Sequence, residues 1–139
     1  MVAYLDSSVV LRYILLGENT VQHLQEFPQV ASSELLQIEC RRVLLRCRME
    51  GELTDEGLVQ ANERLNDVLA GVDLVELTTR VKRRSAEAFP IHVKTLDALH
   101  ISTALELRGE AEGNPVSIFS HDRSLNLCAR ALGFQVALL

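Results

Sequence analysis

Four acidic residues stand at positions where their carboxylates are free for chemistry. Asp6 and Asp122 each follow a short apolar segment and precede a segment with helical spacing. Asp97 lies in the first turn of a predicted helix, and Glu39 lies beside the apolar stripe of another. Oxygen ligands of this kind suit Mg²⁺ or Mn²⁺ and suit zinc poorly. We therefore predict a divalent-metal site with these acids as ligands.

Each acid also has a purely structural explanation. Aspartate is a preferred N-cap residue, which would account for Asp6 and Asp122. Glu39 has Arg42 three residues further along its helix, so a salt bridge between them is the competing interpretation. Asp97 would complement the dipole of its own helix. It is the combination of all four that favours chemistry.

The histidines and cysteines are not predicted to take part. His100 and His121 are possible ligands, but a histidine at such a position is more often exposed or already hydrogen-bonded. Cys40 and Cys47 lie two helical turns apart, about 10 Å, which is too far for a disulfide. With Cys128 the count is odd, so we expect reduced, partly buried thiols in a reducing compartment.

Length and composition indicate one folded domain over residues 1–139. Apolar residues make up 47% of the chain and charged residues 24%, which is the balance of an ordinary globular protein and excludes disorder. The first apolar segment is interrupted by Asp6, and the run from Val9 to Leu16 contains Arg12. We therefore expect neither a signal peptide nor a membrane span, and a cytoplasmic location.

The charge distribution bears on a nucleic-acid partner. A net charge of −5 argues mildly against one, because phosphate binding depends on lysine and arginine. Basic residues nevertheless cluster at 41–48 and again at 80–84. We predict that Arg41, Arg42 and Arg46 contact RNA, although a solvated helix face explains the same pattern.

Short apolar segments alternate with helical ones along the whole chain. The patterns predict strands at 2–5, 30–31, 72–77, 116–119 and 134–139. They predict helices near 9–16, 21–27, 33–49, 54–69, 78–89, 95–109 and 125–132. Ser32 or Ser33 is the expected N-cap of the third helix, and Asn114 with Pro115 is an expected turn. Alternation of this kind predicts an α/β fold, a central parallel sheet with helices on both faces.

Sites in such sheets form outside the carboxyl ends of the strands. Asp6 and Asp122 would then share one edge if their strands are neighbours.

In five segments the sequence resembles the PIN-domain family, specifically its VapC-type toxins of prokaryotic toxin–antitoxin pairs. The matching segments are VAYLDSS at 2–8, SSELLQIE at 32–39, LDALHISTA at 96–104, SHDRSL at 120–125 and ARALG at 129–133.

The resemblance implies a metal-dependent ribonuclease, a homodimer, and a cognate antitoxin that covers the active site. It implies that Asp6, Glu39, Asp97 and Asp122 form the acidic quartet, with Ser7 and Ser120 as supporting hydroxyls. Some relatives carry a further acid after the last aspartate, whereas this chain has Asn126 in that stretch. The number of metal ions, one or two, therefore stays open.

Other readings of the acids fit less well. A phosphatase of the haloacid-dehalogenase class expects a second aspartate where this chain has Ser8. A receiver domain expects paired acids near its first strand and a later lysine, and neither is evident. A non-catalytic RNA- or protein-binding module on the same scaffold would have lost at least one acid of the quartet. All four acids are present, which favours catalysis.

Overall fold

Within residues 1–110 and 115–138, which the computed structural model describes, five strands form one parallel sheet. The strands are β1 (Val2–Leu5), β2 (Gln29–Ser33), β3 (Asp73–Val75), β4 (Val116–Phe119) and β5 (Gln135–Val136). Their order in the sheet is β3-β2-β1-β4-β5. Every residue of β1 and β4 is buried, as expected for central strands of a sheet covered on both faces.

The connections between strands are helical. The helices are α1 (Ser7–Leu16), α2 (Thr20–His23), α3 (Leu35–Met49), α4 (Asp55–Ala70), α5 (Thr79–Ser85), α6 (Thr95–Glu110) and α7 (Arg123–Ala131). A short 3₁₀ turn, Leu24–Glu26, follows α2 directly. Among the described residues, no helix combines the length and the apolar character that a membrane crossing would need.

The alternating side chains of β1 divide the core into two clusters. Val2 and Tyr4 pack on one side with residues of α6 and α7, whereas Ala3 and Leu5 pack on the other side with residues of α1, α3 and α4. Tyr4 and Leu5 are 1% and 0% exposed. The sheet is therefore covered on both faces, and the predicted fold class is confirmed.

The strand order places a topological switch point beside β1. The chain leaves β1 for β2 on one side, and it later returns to β4 on the other side. The N–H of Asp6 donates to the carbonyl of Phe119 at 2.9 Å, which holds the ends of β1 and β4 together. A crevice at the carboxyl ends of such strands is the usual ligand site of open α/β sheets.

The start of α3 differs from the sequence prediction. Ser32 and Ser33 are not helix caps but the last residues of β2, and Glu34 stands at the N-cap. The Ser32 hydroxyl donates to the carbonyl of Leu5 at 2.6 Å, so it is satisfied inside the sheet. The Ser33 hydroxyl, at the strand end, accepts from the N–H of Leu35 at 3.1 Å and so satisfies one N–H of the first turn of α3.

Several predicted ends also move. The helix expected to reach Phe89 stops at Ser85. The segment that follows folds against Arg84, which donates to the carbonyl of Ala88 and stacks on the Phe89 ring at 4.2 Å. β3 and β5 are shorter than predicted. The expected turn at 114–115 and the final residue of the predicted last strand fall partly outside the described residues.

The three cysteine side chains are buried, Cys40 and Cys128 within the two core clusters. Cys40, Cys47 and Cys128 are buried and none forms a disulfide. Burial raises the pKa of each thiol, and the carboxylates of Glu39 and Asp6 help to raise that of Cys40 to about 12. All three are therefore protonated and behave as small apolar groups.

Candidate metal centre

Asp6 emerges from β1 at the switch point and is 5% exposed. It occupies the N-cap position of α1, yet its carboxylate makes no capping bond. Its Oδ2 instead accepts from the hydroxyls of Ser8 and Ser120, each at 2.8 Å. The capping explanation therefore does not account for Asp6, whose carboxylate is oriented by two donors.

The same two hydroxyls join the loops that follow β1 and β4. Ser8 accepts from the N–H of His121 at 2.9 Å, and Ser120 accepts from the N–H of Asp122 at 2.9 Å. The Asp122 carboxylate does cap α7, because its Oδ1 accepts from the N–H of Leu125 at 2.9 Å. Capping occupies one oxygen of Asp122 and leaves the other for a cation.

Glu39 reaches the crevice from α3. Its Oε1 lies 2.6 Å from Nε2 of His100, and the Ser7 hydroxyl donates to its Oε2 at 3.4 Å. Among the described residues, no ion pair links Glu39 to Arg42, which is exposed on another face of the helix. The competing salt bridge is therefore not formed, and Glu39 faces the same space as Asp6.

Asp97 lies half-buried in the first turn of α6. Partial burial raises its pKa to about 6, and the carboxylates of Asp122, Asp6 and Glu39 contribute in the same direction, opposed by His100. An ordinary aspartate titrates near about 3.9. Carboxylates from three other segments of the chain therefore lie close enough to Asp97 to help raise its pKa.

These acids line one open cavity of about 600 Å³. Its lining residues are Asp6, Ser7, Ser8, Arg12, Glu39, Lys94, Thr95, Leu96, Asp97, His121 and Asp122. Arg12 and Lys94 lie at its rim, and Arg12 is paired with Glu18 at 3.2 Å. The carboxylates therefore outnumber the cations around the cavity.

The donor set fits a hard divalent cation. One ligand atom each from Asp6, Glu39 and His100 lie within 4.8 Å of one another, and Asp97 and Asp122 line the same cavity. Converging carboxylates repel one another unless a cation or protons balance their charge. The residues present thus fit Mg²⁺ or Mn²⁺.

The sequence predicts that His100 is exposed or already hydrogen-bonded and takes no part in the site. It is satisfied, with both ring nitrogens in contact with polar groups, but it is buried inside the centre at 1% exposure. Burial alone would lower its pKa, whereas its hydrogen bond to Glu39 and the nearby carboxylates raise it overall. Its position one helical turn after Asp97 was the signal available in the sequence.

The arginines predicted to contact RNA do not line the cavity. Arg41 donates to Asn62 at 3.0 Å and to Asn66 at 2.8 Å, which ties α3 to α4. Arg42 and Arg46 line a separate surface depression. The cations at the cavity itself are Arg12 and Lys94, which spacing along the sequence gave no reason to select.

Asn126 supports the loop after β4. Its side-chain amide donates to the carbonyls of Ser120 at 2.9 Å and Leu138 at 3.1 Å. It therefore links this loop to the segment that follows β5. The side chain of Asn126 thus has a structural role at the end of the sheet.

A switch-point crevice lined by acids defines this chain as an α/β domain with a candidate cation site. A family model for the PIN domain matches residues 3–128. The chain therefore belongs to the PIN-domain family, whose members are generally nucleases and typically use divalent metals. Among curated proteins, none matches the chain.

Three solved structures share the fold. VapBC2 from Rickettsia felis, bound to a DNA fragment from its promoter, matches with a TM-score of 0.69 and 11% identity over 99% of this chain and 98% of that chain. PAE2754 from Pyrobaculum aerophilum matches with a TM-score of 0.62 and 18% identity, over 96% of this chain and 82% of that chain. A toxin–antitoxin complex from Klebsiella pneumoniae matches with a TM-score of 0.58 and 17% identity, over 88% of each chain. Likeness at these identities establishes the fold alone.

Proposed function

We propose that the protein is a metal-dependent endoribonuclease of the VapC type, the toxin of a type II toxin–antitoxin pair. The observation that carries the proposal is the convergence of Asp6, Glu39, Asp97 and Asp122 on one open cavity at the switch point. The structural neighbours include a VapBC2 assembly and a toxin–antitoxin complex, which supports an antitoxin partner. A homodimer is part of the same proposal, through the family resemblance.

In the proposed mechanism the four carboxylates hold Mg²⁺ or Mn²⁺. When bound, the cation neutralises charge on the scissile phosphate and lowers the pKa of the attacking water. Ser8 and Ser120 hold the Asp6 carboxylate in place before any ligand arrives. Asp97 is suited to accept the proton of the water, because its carboxylate is half-exposed at the cavity and, in the described part of the chain, no hydrogen bond holds it.

The products expected from this chemistry are a 5′-phosphate and a 3′-hydroxyl. The chain is not covalently attached to RNA at any step, and the RNA 2′-hydroxyl takes no part. Arg12 and Lys94, the two basic residues that line the cavity, are proposed to contact phosphates next to the cleaved bond. Arg42 and Arg46 remain candidates for a longer RNA contact on the other face of α3.

The test is cleavage of end-labelled RNA by the purified protein, with Mg²⁺ or Mn²⁺ and with EDTA. Asp97→Asn removes one carboxylate of the cavity, and Asp67→Asn is the matched control, because Asp67 is exposed on α4 and does not line the cavity. We expect cation-dependent cleavage by the wild type and the control, and none by Asp97→Asn. Cleavage that survives chelation, or that survives Asp97→Asn, would contradict the proposal.

The products and the partner provide further tests. Ligation that requires a 5′-phosphate should capture the downstream fragment directly. The product of the gene adjacent to this one, purified together with the protein, should suppress cleavage if it is the antitoxin. Cleavage products that carry a 5′-hydroxyl would exclude the proposed chemistry.

A further inference from the structure

A chain of buried side chains connects the core of the sheet with the Glu39 carboxylate. The Tyr4 hydroxyl on β1 lies 2.8 Å from Nδ1 of His100 on α6, and the two rings meet edge to face at 5.8 Å. Nε2 of the same imidazole lies 2.6 Å from Oε1 of Glu39 on α3. Tyr4 and His100 are each 1% exposed. Three separate elements therefore meet in one hydrogen-bonded line.

The contact with Glu39 bears on which imidazole nitrogen carries a proton. A carboxylate only accepts hydrogen bonds, so an ionised Glu39 requires a hydrogen on the Nε2 of His100 that lies 2.6 Å away. This holds whether Nδ1 accepts from the Tyr4 hydroxyl or donates to it. An Nε2 that bears a proton has no lone pair for a cation. Although His100 lies among possible ligands, its Nε2 is already hydrogen-bonded to Glu39.

The Glu39 side chain needs such a partner more than Asp6 does. A glutamate has one more rotatable bond than an aspartate, and fixing a long side chain costs conformational entropy. Asp6 is short and is held by two hydroxyls at 2.8 Å, whereas the Ser7 contact to Oε2 of Glu39 is long, at 3.4 Å. The 2.6 Å contact with His100 is therefore the main restraint on Glu39.

We propose that His100 and Tyr4 are positioning residues of the cation site: His100 holds Oε1 of Glu39, Oε2 is left for the cation, and Tyr4 fixes the imidazole. The inference rests on the cation site of the proposed function and does not depend on RNA cleavage. Polar partners behind metal ligands orient them and tune affinity. With Nε2 committed, the site offers oxygen ligands alone, which favours Mg²⁺ and Mn²⁺ over zinc.

The first measurement is Mn²⁺ affinity by calorimetry, without RNA. His100→Leu removes the donor and should raise the Kd by about 10- to 100-fold. His100→Gln keeps an N–H for Glu39 and should recover most of the affinity. Tyr4→Phe removes one buried oxygen and should weaken binding less than His100→Leu does. His23→Gln, at an exposed histidine, and Tyr13→Phe, in α1, are the matched controls and should bind like the wild type.

The second measurement needs no variant. Nitrogen-15 spectra of the wild type should show the His100 Nε2 proton both before and after Mg²⁺ is added, and Tyr4→Phe should shift the Nδ1 resonance. Loss of the Nε2 proton on Mg²⁺ binding would make His100 a ligand and overturn the inference. These spectra decide the question even if His100→Leu does not fold.

The two proposals fail separately. A wild type that cleaves RNA, together with folded His100→Leu and Tyr4→Phe proteins that bind Mn²⁺ as tightly as it does, overturns the positioning role alone. Equal weakening by His100→Gln and His100→Leu would also overturn it, because the retained donor would then be irrelevant. A wild type that binds Mn²⁺ and keeps the Nε2 proton but cleaves no RNA would overturn the ribonuclease and leave the positioning role standing.

Discussion

The two walls of the acidic cavity are built differently. On the buried wall, Asp6 accepts from two hydroxyls and Glu39 contacts an imidazole. On the open wall, Asp122 has one oxygen occupied by the α7 cap, and no hydrogen bond in the described part of the chain holds the Asp97 carboxylate. Donors hold the carboxylates of the buried wall in place, whereas partial burial, together with the neighbouring carboxylates, raises the pKa of Asp97. Hydrogen bonds within the chain therefore hold the buried wall, and the proposed cation would have its larger effect on the open wall.

The largest effect is expected from removing a charge on either wall. Asp6→Asn and Asp122→Asn should each lower cleavage by more than about 100-fold, because direct ligands contribute more than the partners behind them. Asparagine caps helices about as well as aspartate, so Asp122→Asn should keep α7 intact. Wild-type protein should gain about 2.7 kcal/mol of stability at a hundredfold excess of Mn²⁺ over its Kd.

Melting curves with EDTA and with Mn²⁺, beside the cleavage assay, measure this prediction. Both variants should melt as cooperatively as the wild type but gain little from Mn²⁺. If both variants kept cleavage and the same metal-induced shift, the two aspartates would be helix starts and nothing more.

The next effect concerns Asp97 and the pH dependence of the metal-free protein. The pKa of Asp97 is about 6 in the folded chain and near about 3.9 in an unfolded one, so the folded state binds more protons between these values. Stability from this group therefore falls as pH rises from about 4 to about 6. Asp97→Asn should remove that fall and stabilise the metal-free protein at pH 7 by about 1 kcal/mol, after discounting for its exposed half.

Denaturant unfolding in EDTA at pH 4.5 and pH 7 checks this sign, with Asp67→Asn as the control. A metal-free Asp97→Asn protein that is less stable than the wild type at pH 7 would mean that the open wall carries no strain. The contrast between the two walls would then be lost.

The smallest effect is expected at the basic residues. Arg12→Gln with Lys94→Gln should flatten the salt dependence of RNA binding by about 0.7 per lost phosphate contact, and Arg42→Gln with Arg46→Gln by less. The reason is that only the first pair lines the cavity. Binding measured from low to high salt, with Ca²⁺ in place of Mg²⁺ to prevent cleavage, gives both slopes. A larger change in slope for Arg42→Gln with Arg46→Gln would indicate that RNA binds along the outer face of α3.

The sequence predicted the parts of the fold that depend on local pattern. The segments at 2–5 and 116–119 are buried on both faces, and their largely apolar composition identified them as β1 and β4. Asp6 and Asp122 stand at the ends of these strands, which placed them at the sheet edge. Ser33 was misassigned, because serine has the same signal at a strand end and at an N-cap.

The remaining features depend on contacts that local pattern does not contain. Tyr4 and His100 are 96 residues apart in the chain, and their contact exists only because α6 packs on one face of β1. The sequence gives no sign that Arg41 is hydrogen-bonded within the protein, because its partners, Asn62 and Asn66, lie on a different helix. Side-chain partners across elements follow from packing, which spacing along one element does not reveal.

The buried cysteines make the surface of this domain chemically simple for labelling. Cys40, Cys47 and Cys128 are buried and their raised pKa values keep them protonated, so they react slowly with maleimides near neutral pH. Ser124 is exposed two residues after Asp122. A single Ser124→Cys change therefore gives one reactive thiol two residues from Asp122, which lines the cavity. A fluorophore attached there reports cation or RNA binding without the removal of any native cysteine.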